Sequence, residues 1–70
     1  MTIEQIISSD REVQGGTLVF AGTRVPLKNL FDYLVAGDSL HEFLDDFPSV
    51  TREQTVAALQ LAHQALTGGR

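Results

Sequence analysis

Residues 22–51 read GTRVPLKNLFDYLVAGDSLHEFLDDFPSVT, from Gly22 to Thr51, and their punctuation decides the fold. Pro26 suits a first helical position, because its missing N–H would be unpaired there anyway. Leu27, Leu30, Phe31, Leu34 and Val35 recur at helical spacing, so a helix opening at Pro26 or Leu27 has one apolar face. Lys28, Asp32 and Tyr33 lie off its centre. Gly37 stops it, since glycine takes a left-handed C′ conformation without a Cβ penalty. Ser39 with Glu42 forms a capping box for a second helix, whose inner face is Leu40, Phe43, Leu44 and Phe47. Pro48 ends that helix. Thr51 with Gln54 repeats the box and starts a third.

Outward from this core, the third helix runs to about Thr67, before Gly68-Gly69. It carries two apolar stripes: Val56, Leu59 and Leu66, and beside them Ala58, Leu61 and Ala65. That is more apolar surface than one core face needs. The second stripe, with its small alanines, is the expected contact between chains. Upstream, Ile3, Ile6 and Ile7 form an apolar patch behind a Thr2/Gln5 capping box, too short to separate a helical turn from a strand. Ser8-Ser9-Asp10 reads as a turn, Gly15-Gly16 as a breaker, and Leu18-Val19-Phe20 as a short strand. Thr23-Arg24-Val25 is a second short strand, because the residue before a proline favours extended geometry. The expected fold is mainly α: a three-helix, helix-turn-helix bundle over residues 26–67, with a β/turn arm at 1–25, in a single domain over 1–70.

Composition narrows the function to binding. Seventy residues without cysteine have no disulfide and no thiolate metal site, and a core of this size rarely supplies more than about 3–5 kcal/mol alone. A second chain is the expected source of further stability. No apolar run reaches membrane-spanning length, and Met1-Thr2-Ile3-Glu4 is unlike a secretory leader, so a cytoplasmic protein is expected. The net charge of −4 is uneven, with Asp38, Glu42, Asp45 and Asp46 standing together without a base. Nucleic-acid binders usually show a basic footprint, and one copy of this chain offers only a small one. No nucleophile–base pair, phosphate loop or metal motif occurs, so neither an enzyme nor a cofactor is expected. Adjacent Asp45 and Asp46 diverge on a helix and do not converge on one atom.

The order Gly15-Gly16, Gly22-Thr23-Arg24-Val25-Pro26, Gly37, Glu42, Asp46-Phe47-Pro48 and Thr51 through Glu53 resembles a bacterial antitoxin-like family known as domain of unknown function 433. The likeness covers about residues 3–66. It departs from the commoner form in Leu18, where that family often has Pro, and Leu27, where Val is frequent. It implies a homeodomain-like three-helix fold. It also implies the antitoxin half of a toxin–antitoxin pair, beside a small PIN-type nuclease toxin.

Three readings remain for Arg24. It clamps phosphate together with Lys28 and the free N–H groups of a helix start; it pairs with an acid of the 38–46 cluster; or, like Arg70, it enters the acidic site of a nuclease toxin. Thr51, Arg52, Gln54, Thr55 and Gln60 are the groove-facing candidates on the third helix, with Gln suited to adenine and Arg to guanine or phosphate. The plainer alternative is a capped helix with a solvated polar side. Taking the second helix as the reader would aim Asp45 and Asp46 at phosphates, so that alignment is rejected. Leu18 and Phe20 are candidates for adding a partner strand to the sheet. Ala58, Leu61 and Ala65 are the candidate dimer contact. His63 reads as a packed or bordering side chain, and His41 as solvated.

Overall fold

The computed structural model describes residues 2–9 and 17–68. The elements in chain order are α1 (Ile3–Ile6), β1 (Ile7–Ser9), β2 (Leu18–Phe20), α2 (Leu27–Val35), α3 (Leu40–Asp46) and α4 (Arg52–Thr67). The fold is mainly α, with three longer helices behind a short N-terminal β element, as the punctuation predicts.

Each helix boundary has a visible cause. Pro26 is the N-cap of α2. At the other end the Gly37 N–H donates to Leu34 O and the Asp38 N–H to Tyr33 O, which is a Schellman closure. It requires the positive φ of 90° that Gly37 adopts. Ser39 caps α3 by accepting from the Glu42 N–H at 3.1 Å. The reciprocal half of that box is absent, because the Glu42 carboxylate accepts from the Ser39 hydroxyl instead, at 3.3 Å. The Thr51/Gln54 box is complete, with both bonds at 3.1 Å.

β1 and β2 pair antiparallel, Ile7 opposite Phe20 and Ser9 opposite Leu18. Ser8 and Ser9 are thus strand residues, and the expected turn there is corrected. Ile7 follows α1 directly, so the chain is already extended when it meets β2. Thr23–Val25 does not form a strand either. The chain returns beside β2 only through a Val19–Pro26 bridge and a Phe20 N–H to Val25 O bond. Pro26 has no N–H with which to continue a ladder. The Gly15-Gly16 breaker lies outside the described residues.

The core is Ile6, Phe20, Leu30, Phe43, Val50 and Ala58. An aromatic cluster organises it: Phe43 lies 6.0 Å from Phe20 and 4.9 Å from Phe47, between ring centroids. Tyr33 meets Phe43 edge-on at 5.3 Å and Phe47 at 5.8 Å, the arrangement that ring quadrupoles favour. This corrects the face expected for α2. Tyr33 turns inward to join the rings, and Val35 is left 88% exposed.

Candidate functional site

The turn between β2 and α2 gives nearly every residue a structural task. Phe20 O accepts from the Thr23 N–H at 3.0 Å, closing a β-turn whose third residue, Gly22, has φ 76°. Only glycine takes that conformation cheaply. The Thr23 hydroxyl donates to Phe20 O at 2.8 Å and accepts from the Val25 N–H at 3.1 Å. Val25 packs against the core, and Pro26 bridges Val19 and opens α2. Arg24 is exposed between them. Its guanidinium meets no carboxylate among the described residues, so the expected pairing with the 38–46 acids is not formed.

Those acids are engaged locally instead. Asp46 accepts from the Tyr33 hydroxyl at 2.6 Å, and Asp45 lies 3.3 Å from His41 Nε2. The bond to Asp46 is the main reason that the Tyr33 hydroxyl ionises only above its ordinary value of 10.0. Desolvation and the charges of Asp46, Asp38 and Glu42 act in the same direction.

Gln54 ties this turn to the start of α4. Its side-chain N–H groups donate to Gln5 O at 3.1 Å and Ala21 O at 3.0 Å, while its Oε1 accepts from the Thr51 N–H. One side chain thereby joins α1, the turn that carries Arg24 and the helix start that carries Arg52.

The groove-facing set divides accordingly. Gln54 is only 7% exposed and Thr55 is fully buried, with the Thr55 hydroxyl donating to Arg52 O at 2.7 Å. Neither can reach a base, and both are corrected to structural roles. Arg24, Lys28, Thr51, Arg52 and Gln60 are exposed. Within that group the Thr51 oxygen accepts from the Gln54 N–H, and Lys28 Nζ shares its charge with Asp32 at 2.6 Å. A shallow hollow along α4 is bounded by Arg52, Glu53, Val56, Ala57 and Gln60.

Other expected contacts change as well. Phe20 is buried in the core, so it cannot touch a partner, whereas Leu18 is 47% exposed. Arg70 lies outside the described residues. The two stripes of α4 exchange roles except at Leu59, which packs on the core as Leu61 does. Ala58 is in the core and Leu61 packs on it, so the expected dimer contact loses both, and only Ala65 is exposed. His63 is exposed. The tether formed by Gln54 has no sequence signal of its own, because the capping role already accounts for the residue. Its bonds to Gln5 and Ala21 span 49 and 33 residues of sequence, and nothing local announces them.

No group of three or more His, Cys, Asp or Glu that could hold a metal ion occurs among the described residues. No helix there is long and apolar enough to cross a membrane.

Known proteins are consistent with this frame. The chain is similar to Uncharacterized protein y4eO of Sinorhizobium fredii, 33% identical over 67 residues, covering 94% of this chain and 30% of that relative. This chain therefore spans less than a third of the relative's length. No solved structure matches it. A family described as Protein of unknown function (DUF433) matches residues 7–62. Since that match takes in most of the chain, from β1 through α2 and α3 into α4, the chain belongs to the DUF433 family.

Proposed function

We propose that this chain is the antitoxin of a toxin–antitoxin pair. It binds and neutralises a PIN-like nuclease toxin, and as a dimer it represses its own operon. The observation that carries the binding role is Arg24. It is the one residue of the Gly22–Pro26 turn without a structural task among the described residues, it is exposed, and its turn is tied by Gln54 to the helix start bearing Arg52. A guanidinium held on a stiff turn loses little freedom when it meets a phosphate or carboxylate. The resemblance to antitoxin-like proteins supplies the choice of system.

One copy offers Arg24, Lys28 and Arg52, the last at the first position of α4, where a cation is disfavoured by the helix dipole unless an anion arrives. Three cations are few for DNA. Two copies make about six phosphate contacts, enough for affinity to fall roughly 10³-fold between 50 and 200 mM salt. Gln60, on the outer side of α4, is the remaining base-reading side chain. Toxin contact falls to a separate surface, Leu18 and the β1–β2 ribbon, which leaves Arg24 free for phosphate.

A second reading, a helix-turn-helix-shaped interaction module without DNA contact, is favoured by the acidic α3, where Glu42, Asp45 and Asp46 are exposed. Co-purification with the product of the adjacent gene, followed by a low-salt gel shift on the promoter, separates them. The antitoxin reading expects a stable complex that retards the DNA, and an Arg24→Ala/Arg52→Ala variant that does not. A toxin complex without retardation leaves the interaction module. No complex at all removes the antitoxin role.

A further inference from the structure

Residues 54–68, QTVAALQLAHQALTG, contain no Asp, Glu, Lys or Arg. They form nearly the whole of α4, and much of that helix is exposed. Protein surfaces usually carry roughly a quarter to a third charged side chains, so an exposed helical stretch of this length without any is not built for solvent alone. Its Gln54, Thr55 and Ala58 face the core. On one flank stand Val56, 39% exposed, and Leu66, 89% exposed, with exposed His63 and half-buried Leu59 between them. Residues 56, 59, 63 and 66 recur at alternating steps of three and four, the spacing by which one helix packs along another.

We propose that the Val56–Leu59–His63–Leu66 flank of α4 is a homodimer seam, packed antiparallel against the same flank of a second copy. Charge selects this occupant. A different helix is normally chosen by charged residues flanking such a seam, and here the flanking Gln60, Ala62 and Thr67 carry none. A chain of net charge −4 repels its own copy through its charged faces, above all through α3, but meets no repulsion across this one. Antiparallel pairing opposes the two helix dipoles favourably and sets Val56 against Leu66 and Leu59 against His63. Parallel pairing would instead bring the like-charged helix ends together. The antiparallel seam also separates the two Arg52 residues by about 27 Å along the paired helices, within side-chain reach of one turn of DNA, roughly 34 Å. The seam deepens the dimeric reading above and rests on it.

The test is the mass of the full chain in solution, without DNA or toxin, by light scattering at high micromolar concentration. The wild type is expected at twice 7.6 kDa. Leu66→Glu and Val56→Glu are expected to weaken association at least tenfold and move toward the single-chain mass, with unchanged helical circular dichroism. A monomeric wild type, or variants that keep the dimer mass, overturns the seam. So does a flank that proves necessary only in a complex with another protein. Because the chain lacks cysteine, Val56→Cys mixed with Leu66→Cys should cross-link under mild oxidation faster than either variant alone; faster cross-linking of Leu66→Cys by itself overturns the antiparallel order. The failure of the seam and that of the function remain distinct: a dimer that leaves promoter DNA unshifted keeps the seam and removes the repressor role.

Discussion

Arg24 and Gln54 show how differently two polar residues can be used in one small chain. Arg24 is exposed and meets no carboxylate among the described residues, so Arg24→Ala should leave stability within about 0.5 kcal/mol. If it contacts phosphate, the same change should lower the salt slope of DNA binding by about one for each copy, read by a salt titration beside a urea melt. Gln54 is the opposite case. Gln54→Ala leaves Gln5 O and Ala21 O without their donor and breaks the box that starts α4, a loss of about 1–3 kcal/mol expected as a lower urea midpoint. Tyr33 gives the chain an alkaline limit. Its hydroxyl is harder to ionise in the folded chain than in the unfolded one, so the unfolded chain loses that proton first. The contribution is fully present below pH 10 and is lost as pH rises through the raised folded value. A Tyr33→Phe variant should therefore show a shallower fall in stability above pH 10 than the wild type, while the two run parallel at neutral pH.

Among the elements, the helix ends are legible in the sequence because their causes are local. A proline, a glycine at positive φ and three Ser/Thr caps act within four residues of themselves. Gly37→Ala tests the clearest of these. Open space surrounds the added Cβ, so the cost is conformational, about 1–2 kcal/mol for forcing an alanine into the left-handed region, measured by the same melt. Helix faces are less legible. On α2 the repeat from Leu27 to Val35 admits either Val35 or Tyr33 at its margin, and the Tyr33 contacts with Phe43 and Phe47 lie beyond that helix. On α4 two neighbouring stripes of similar hydrophobicity compete for the core. Ala58 takes the inward place, in one core with Ile6 and Phe20, an outcome set by what α4 meets across the chain.

For the whole molecule, one shared core leaves little in reserve. Phe43 touches Phe20, Tyr33 and Phe47, so Phe43→Ala removes the centre of the aromatic cluster. The expected loss of about 3–5 kcal/mol matches what a core of this size supplies in total, and thermal circular dichroism should show the variant unfolded or nearly so. The arm supplies Ile6, Val19 and Phe20 to the buried set, so the β element works as a wall of the core. A small interior also explains why Val56 and Leu66 remain outside it: the described residues form no second layer for them to enter.

Composition, caps and the Gly22–Thr51 punctuation by themselves determined the helix order, the helix ends and the exclusion of disulfide chemistry. Each of these depends on residues a few positions apart, or on residue types simply being present or absent. Only the tertiary structure decided that Gln54 is a tether, that Thr55 and Phe20 are hidden, that Arg24 meets no carboxylate among the described residues and that the stripes of α4 face as they do. Those outcomes depend on which segments meet across many residues of chain, and a periodic pattern states that a face is apolar without stating what lies against it.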